Sequence, residues 1–319
     1  MVWLLGYIFI GISLDRLLIQ VNELQNSDIQ NTISTFFSRC GIPYPTTILA
    51  DVEFESACWE HAMQRAYPLH ELGPFMEVGI SIAMQAYSHL PNEEAKIFIA
   101  LYTAFMSYLD DSCRDEKGVQ RIRAFVERFS QNQPHKDEVL DNFASFLRDV
   151  FRHWKPLIAT MILTATLNFF NSLVLDYETR TLKIDSLAHG YPGLMGWMSG
   201  VPVAYGMFAF PAEIPIEAHI QALSEIGDFT NYANDILSFY KEECDGESSN
   251  HISVVAMLRG LPKTIALALL AEETAAAHNR ALHILKPHPE AYDAYEKYSH
   301  GYVQFHTTSS RYRLHELKL

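Results

Sequence analysis

The 319-residue sequence predicts a single all-α domain. Three observations carry this. Apolar residues recur at a 3.6-residue period over long stretches. Ala, Leu, Met, Glu and Gln, all good helix formers, fill those stretches. No segment shows sustained polar/apolar alternation with strand-like punctuation. With 49% apolar and 19% charged residues, the chain can bury a large core in one domain.

The elements follow in order. Residues 1–14 read as an apolar N-terminal extension of uncertain role, and 15–319 as the folded domain. The stretch MVWLLGYIFIGIS has no basic residue before it. It is shorter than the ~20 residues a membrane span needs and lacks a clear cleavage site, so a membrane role is not expected. Long amphipathic runs then appear at 93–111, 137–154, 216–243 and 262–285. Breaks fall at 131–134, at CDGESSN (244–250) and at KPHP (286–289). Several runs are apolar on more than one side. This fits a bundle with buried central helices, or one enclosing an apolar cavity. The segment HGYPGLMGWMSGVPVAYGMFAFP (189–211) is rich in Gly and Pro yet too apolar for a surface loop. It reads as a kinked, buried helix in which glycine permits close backbone approach.

Composition removes some functions. The net charge is −14, from 38 acidic against 24 basic residues, which argues against nucleic acid as a partner. A small phosphorylated ligand stays compatible if metal ions supply local positive charge. Cys40, Cys58, Cys113 and Cys244 are widely spaced and read as free thiols of a reducing compartment, hence a cytoplasmic protein. The histidines show no zinc-binding spacing.

Chemistry concentrates in three blocks. In NDILSFYKE (234–242), Asn234, Ser238 and Glu242 lie at i, i+4 and i+8 and drift only about 80° around a helix, so they share a face. Amide, hydroxyl and carboxylate form a hard-oxygen set suited to Mg²⁺. An exposed polar stripe would look similar, but the flanking Phe229, Tyr232, Ile236, Leu237, Phe239 and Tyr240 predict burial. In YLDDSCRDE (108–116), Asp110, Asp111, Asp115 and Glu116 crowd a helix C-terminus. Mutual repulsion and the macrodipole disfavour this unless a cation is present. Near the chain end, Arg311 and Tyr312 suit phosphate recognition, and Lys241 adds an ammonium to the Asn234 helix.

Together these blocks resemble class I terpene synthases, and more closely the fungal trichodiene synthase-like family. NDILSFYKE is similar to that family's second metal motif, and HGYVQFHTTSSRYRLHE (300–316) to its C-terminal helix. The resemblance runs from about Asp15 to Leu317. It implies one helical bundle around a deep apolar pocket, with 15–319 as the catalytic domain. Three Mg²⁺ ions would sit at the mouth: Asp110 would bind two of them, and Asn234, Ser238 and Glu242 the third. Asp111 and Asp115 are further candidate ligands. Lys241, Arg311 and Tyr312 would hold the diphosphate. Thr103, Met106 and Ser107 on the first acidic helix, with Gly227 and Thr230 on the second, become candidate pocket residues.

The implied activity is a Mg²⁺-dependent sesquiterpene synthase that ionises farnesyl diphosphate and cyclises the cation to a C15 hydrocarbon or alcohol. Related enzymes are often homodimers, a state the resemblance allows here and the residues do not decide. The alternative is a non-catalytic or impaired relative that binds an isoprenoid diphosphate or a protein partner. The sequence departs from the pattern twice. Arg114 stands four positions after Asp110, where the family usually has an acid. Gly196 and Trp197 stand where the family carries a diphosphate-sensing arginine. Arg180 is the candidate substitute, and Trp197 a candidate cavity wall.

Overall fold

The computed structural model describes residues 14–44, 50–247 and 249–319; the apolar stretch 1–13 lies outside them. Helices build the described chain. In order they are α1 (Leu14–Cys40), α2 (Val52–Gln64), α3 (Leu69–Ala86), α4 (Glu93–Ser112), α5 (Glu116–Ile122), α6 (Phe125–Ser130), α7 (Glu138–Arg148), α8 (Val150–His153) and α9 (Pro156–Thr179). Then come α10 (Tyr191–Met198), α11 (Val201–Phe208), α12 (Leu223–Cys244), α13 (His251–Arg259), α14 (Lys263–Leu285) and α15 (Pro289–Thr308). Short 3-10 turns precede α12 and follow α15. Among the described residues no strand occurs.

Local chemistry sets the starts. Asn92 caps α4 by accepting from Ala95 N at 3.2 Å, and Asp137 caps α7 through Leu140 N at 3.1 Å. Two predicted helices are interrupted. The run 137–154 breaks at Asp149, whose carboxylate takes ion pairs from Arg65 and Arg152. The run 216–243 begins as 3-10 turns at Ile216–Ala218 and Ile220–Ala222 before α12 starts. The glycine-rich segment is kinked as expected. Gly200 at φ +75° separates α10 from α11, and a Cβ there would lie 2.1 Å from the Ala165 carbonyl oxygen of α9. Of the two pieces, α11 is buried, whereas α10 is mostly half-buried with Leu194 exposed.

The core is aromatic and continuous. Phe125 stacks on Phe170 with centroids 3.7 Å apart, and Phe98 on Phe146 at 4.5 Å. Around α3, α4, α11 and α15, Tyr87, Tyr102, Tyr205, Tyr298 and Tyr302 are buried. Two backbones meet directly: a Cβ on Gly79 would lie 2.0 Å from the Ala100 oxygen, and one on Gly301 2.0 Å from the Gln85 oxygen. α3 is thereby seated against both α4 and α15. All four cysteines are unpaired; Cys40, Cys58 and Cys113 are buried and Cys244 is exposed. α9 is long and apolar enough to cross a membrane, yet it packs on α5, α6, α8, α10 and α11 as a bundle helix.

Candidate active site

The oxygen-bearing face of α12 forms as its spacing predicts. Ser238 is buried, and Asn234, Lys241 and Glu242 are half-buried. Burial pushes the Glu242 carboxyl above its usual range, against a hydrogen bond from Ser238 and the nearby Lys241 charge. Lys241 Nζ lies 4.0 Å from Asp245 Oδ2 on its own helix. Asn234 Nδ2 lies 3.1 Å from His306 Nε2 of α15. Beside it, Asp235 turns away from this face toward His251, Oδ2 to Nδ1 3.8 Å, and burial raises its pKa to about 8, with the Glu242 charge adding to the rise.

At the end of α4 the acids divide. Asp110 is exposed at the lip of the bundle, yet protein crowds it closely enough that desolvation raises its pKa. Arg114 and Arg311 pull it down, and Asp111 and Asp176 push it up. Asp111 pairs with Arg114 at 2.6 Å. Asp115 caps α5, its Oδ1 accepting from Gly118 N at 2.8 Å. The structure thus brings Asp110 toward Arg311 and gives the other two predicted ligands local partners.

The turn after α15 joins the two acidic helices. Arg311 is exposed and Tyr312 is buried. Burial pushes the Tyr312 phenol up to about 12, with Arg311 lowering it, Glu242 raising it and a hydrogen bond from Asn234 lowering it. One short segment therefore touches the fields of Asp110 on one side and of Asn234 and Glu242 on the other.

Arg180 ends α9, its guanidinium 3.7 Å from the Tyr177 ring centroid and its Nη1 donating to the Tyr177 carbonyl at 3.1 Å. The Tyr177 hydroxyl donates to Glu116 Oε2 at 2.8 Å. Arg180 is one turn beyond Asp176, so it shares the α9 face that carries charge toward Asp110. Gly196 and Trp197, where the resemblance implies an arginine, have other neighbours. A Cβ on Gly196 would lie 2.4 Å from Asn231 Nδ2, a buried group without a hydrogen-bond partner. Trp197 donates from Nε1 to Asp228 Oδ1 at 3.0 Å and lies over Gly227, where a Cβ would meet its ring at 2.8 Å.

Of the predicted pocket residues, Thr103, Met106, Gly227 and Thr230 are buried, and Ser107 and Trp197 half-buried. Thr103 shares a 2.9 Å hydrogen bond with the Tyr205 hydroxyl, and Thr230 one of 2.9 Å with Tyr298. A 470 Å³ recess lined by His61, Arg65, Glu94, Phe98, Arg152 and His153 lies at the other end of α4, about 24 Å along the helix from Asp110. A 220 Å³ recess lies between α10, α12, α13 and α14. Neither is lined by the predicted metal or diphosphate residues.

Among the described residues no three His, Cys, Asp or Glu side chains converge as a ready metal site. The site offers a divided set of hard oxygens instead: one carboxylate from α4, and an amide, a hydroxyl and a carboxylate from α12. Mg²⁺ suits such a set, because it retains waters and is completed by substrate phosphate. The residues present therefore fit that ion.

The family described as trichodiene synthase (TRI5) matches residues 54–318. The chain belongs to the trichodiene synthase family. It is 36% identical over 295 residues to alpha-cuprenene synthase of Coprinopsis cinerea, covering 91% of this chain and 90% of that one. It is 32% identical over 269 residues to terpene synthase BipA of Cochliobolus sativus, with 82% of each covered. Its fold is similar to that of linalool/nerolidol synthase from Streptomyces clavuligerus, solved in complex with 2-fluorogeranyl diphosphate. There the TM-score is 0.64 at 13% identity, covering 84% of this chain and 98% of that one. This trichodiene synthase-family protein is a terpene synthase with the class I isoprenoid synthase fold, from a family that generally uses Mg²⁺ and acts on isoprenoid diphosphates.

Sequence reasoning passed over Asp176, Asn231 and His306. Asp176 carried a signal, since it stands at i and i+4 with Arg180. Asn231 and His306 gained meaning only from the helices packed against them.

Proposed function

We propose that this terpene synthase is a Mg²⁺-dependent sesquiterpene synthase acting on farnesyl diphosphate and releasing a cyclic C15 hydrocarbon or alcohol. The observation that supports this best is the C-terminal turn, where Arg311 reaches the field of Asp110 and Tyr312 those of Asn234 and Glu242. In this reading Asp110 holds Mg²⁺ on the α4 side, and Asn234, Ser238 and Glu242 hold it on α12; the relatives' family implies three ions. When bound, the metal neutralises charge on the departing diphosphate. Arg311 and Lys241 supply cationic donors to the diphosphate oxygens, and Tyr312 supplies a hydroxyl. Arg180, one turn along α9 from Asp176, is assigned the part of the family's missing arginine. In this reading the aromatic core around Tyr205, Tyr298 and Tyr302 keeps water from the site.

One observation favours a second reading. Asn231 occupies the space at Gly196, the position at which the resemblance implies an arginine, so an impaired relative that binds an isoprenoid diphosphate without turnover is the competitor. Incubation with farnesyl diphosphate, with and without Mg²⁺, followed by gas chromatography with mass detection separates the two. A cyclic C15 product only with Mg²⁺ is expected. Only spontaneous alcohols from folded protein, with geranyl and geranylgeranyl diphosphates also inert, would favour the competitor.

A further inference from the structure

We infer that His306 is a positioning residue that fixes the orientation of the Asn234 side-chain amide, so that Asn234 turns its carbonyl oxygen to the cleft. The inference rests on Asn234 being a metal ligand. His306 is fully buried on α15. Its Nδ1 lies 2.7 Å from the Tyr302 carbonyl oxygen, one turn earlier on the same helix. A carbonyl only accepts, so Nδ1 carries the proton. The ring is neutral, being fully buried with a backbone carbonyl and a side-chain amide as its hydrogen-bond partners. A neutral ring protonated at Nδ1 has a bare lone pair at Nε2, and that lone pair faces Asn234 at 3.1 Å.

Only one end of the amide can meet it. An NH₂ group donates to Nε2, whereas a carbonyl oxygen would oppose lone pair to lone pair in a buried place. The Tyr312 phenol lies beside the same side chain. With Nδ2 held at His306, Oδ1 is left as the group to bind a cation. The imidazole is itself held by rings on three sides: Tyr302 at 4.6 Å, Phe305 at 5.0 Å and Tyr312 at 4.5 Å. The Tyr302 hydroxyl donates to the Thr230 carbonyl of α12 at 2.9 Å, which ties this helix pair together beneath the site. A proton fixed by a backbone carbonyl on α15 thus selects which atom of an α12 side chain faces the metal.

The test is a Mn²⁺ titration by electron paramagnetic resonance in the presence of inorganic pyrophosphate, on the full chain. His306→Leu, which cannot accept, should raise the metal concentration for half-saturation about 10- to 100-fold. His306→Gln, whose Oε1 can accept from Asn234, should recover most of that loss. A folded His306→Leu with wild-type saturation, or a Gln variant no better than Leu, overturns the inference. Asn234→Ala separates the two layers. If it shifts the titration and His306→Leu does not, positioning fails alone; if it shifts nothing, the ligand reading fails and this one with it. Should His306→Leu not fold, histidine ¹⁵N spectra of the wild-type protein decide. Protonation of His306 at Nδ1 with an acceptor-type Nε2 is expected, and a proton on Nε2 overturns the inference.

Discussion

Burial raises the pKa of the Asp110 carboxyl at the end of α4, and the Arg311 guanidinium, on the turn after α15, lies close enough to offset part of that rise. The same turn places Tyr312 against Asn234. Diphosphate held by Arg311 would therefore lie between the two oxygen sets. Replacing Asn234 and Ser238 together with Ala should remove one metal position. Turnover should fall at least about 100-fold with little change in the melting curve. Undiminished turnover in the folded double variant would remove α12 from the metal site.

The acids after Asp110 should separate by function. Asp110→Asn should abolish turnover. Asp115→Asn keeps an N-cap acceptor, so both activity and stability should persist, while Asp115→Ala should cost about 1 kcal/mol. Steady-state rates and urea unfolding read these; a large rate loss in Asp115→Asn would restore Asp115 as a ligand.

Arg180 is expected to contribute to diphosphate binding from the end of α9. Arg180→Ala should lower kcat/KM roughly 10- to 100-fold, the worth of a charge-assisted hydrogen bond, and Arg180→Lys should lower it less. An unchanged kcat/KM for Arg180→Ala would leave the family's arginine without a substitute here.

Glycine contacts predict a graded response. At Gly301 a new Cβ meets the backbone of Gln85 and Ala86, neither of which can swing away. Gly301→Ala should therefore cost about 3 kcal/mol or more. At Gly196 the Cβ meets only the tip of Asn231. That tip can rotate, so Gly196→Ala should cost less than about 1 kcal/mol. Denaturant midpoints compare the two, and equal losses would contradict the packing described.

Stability should fall between pH 6.5 and 4. Burial lowers His219, His251, His278 and His306 each to about 4. In that window the unfolded chain binds protons that the folded chain refuses, so unfolding becomes easier as pH drops. His219 stacks on Phe210 at 4.0 Å, and neither ring nitrogen has a hydrogen-bond partner. His219→Phe should flatten the slope of melting temperature against pH over this range; an unchanged slope would remove His219 from the effect.

Helix identity was legible where period and cap agreed. α4 was expected at 93–111 and runs Glu93–Ser112, because an apolar repeat follows Asn92, whose side chain caps it. The break at Asp149 was not legible, since it follows ion pairs to Arg65 and Arg152 that only the fold creates. In the site, the α12 face could be read from helical geometry alone. The duty of Asp115 was also readable in principle, as an acid three residues before the Gly118 amide at a helix start. The meeting of Asp110, Asp176 and Arg311 was not, because three separate elements must pack before those charges feel one another.

The seam at Gly301 bears on how new products could arise in this scaffold. α15 carries His306, Tyr302 and Tyr298, and its spacing from α3 is set by two main chains in contact. Side chains along α15 can be exchanged without altering that spacing, whereas a methyl group at Gly301 displaces all of them at once. A library meant to diversify the products should therefore place its changes in the side chains of α15 and hold Gly79 and Gly301 constant.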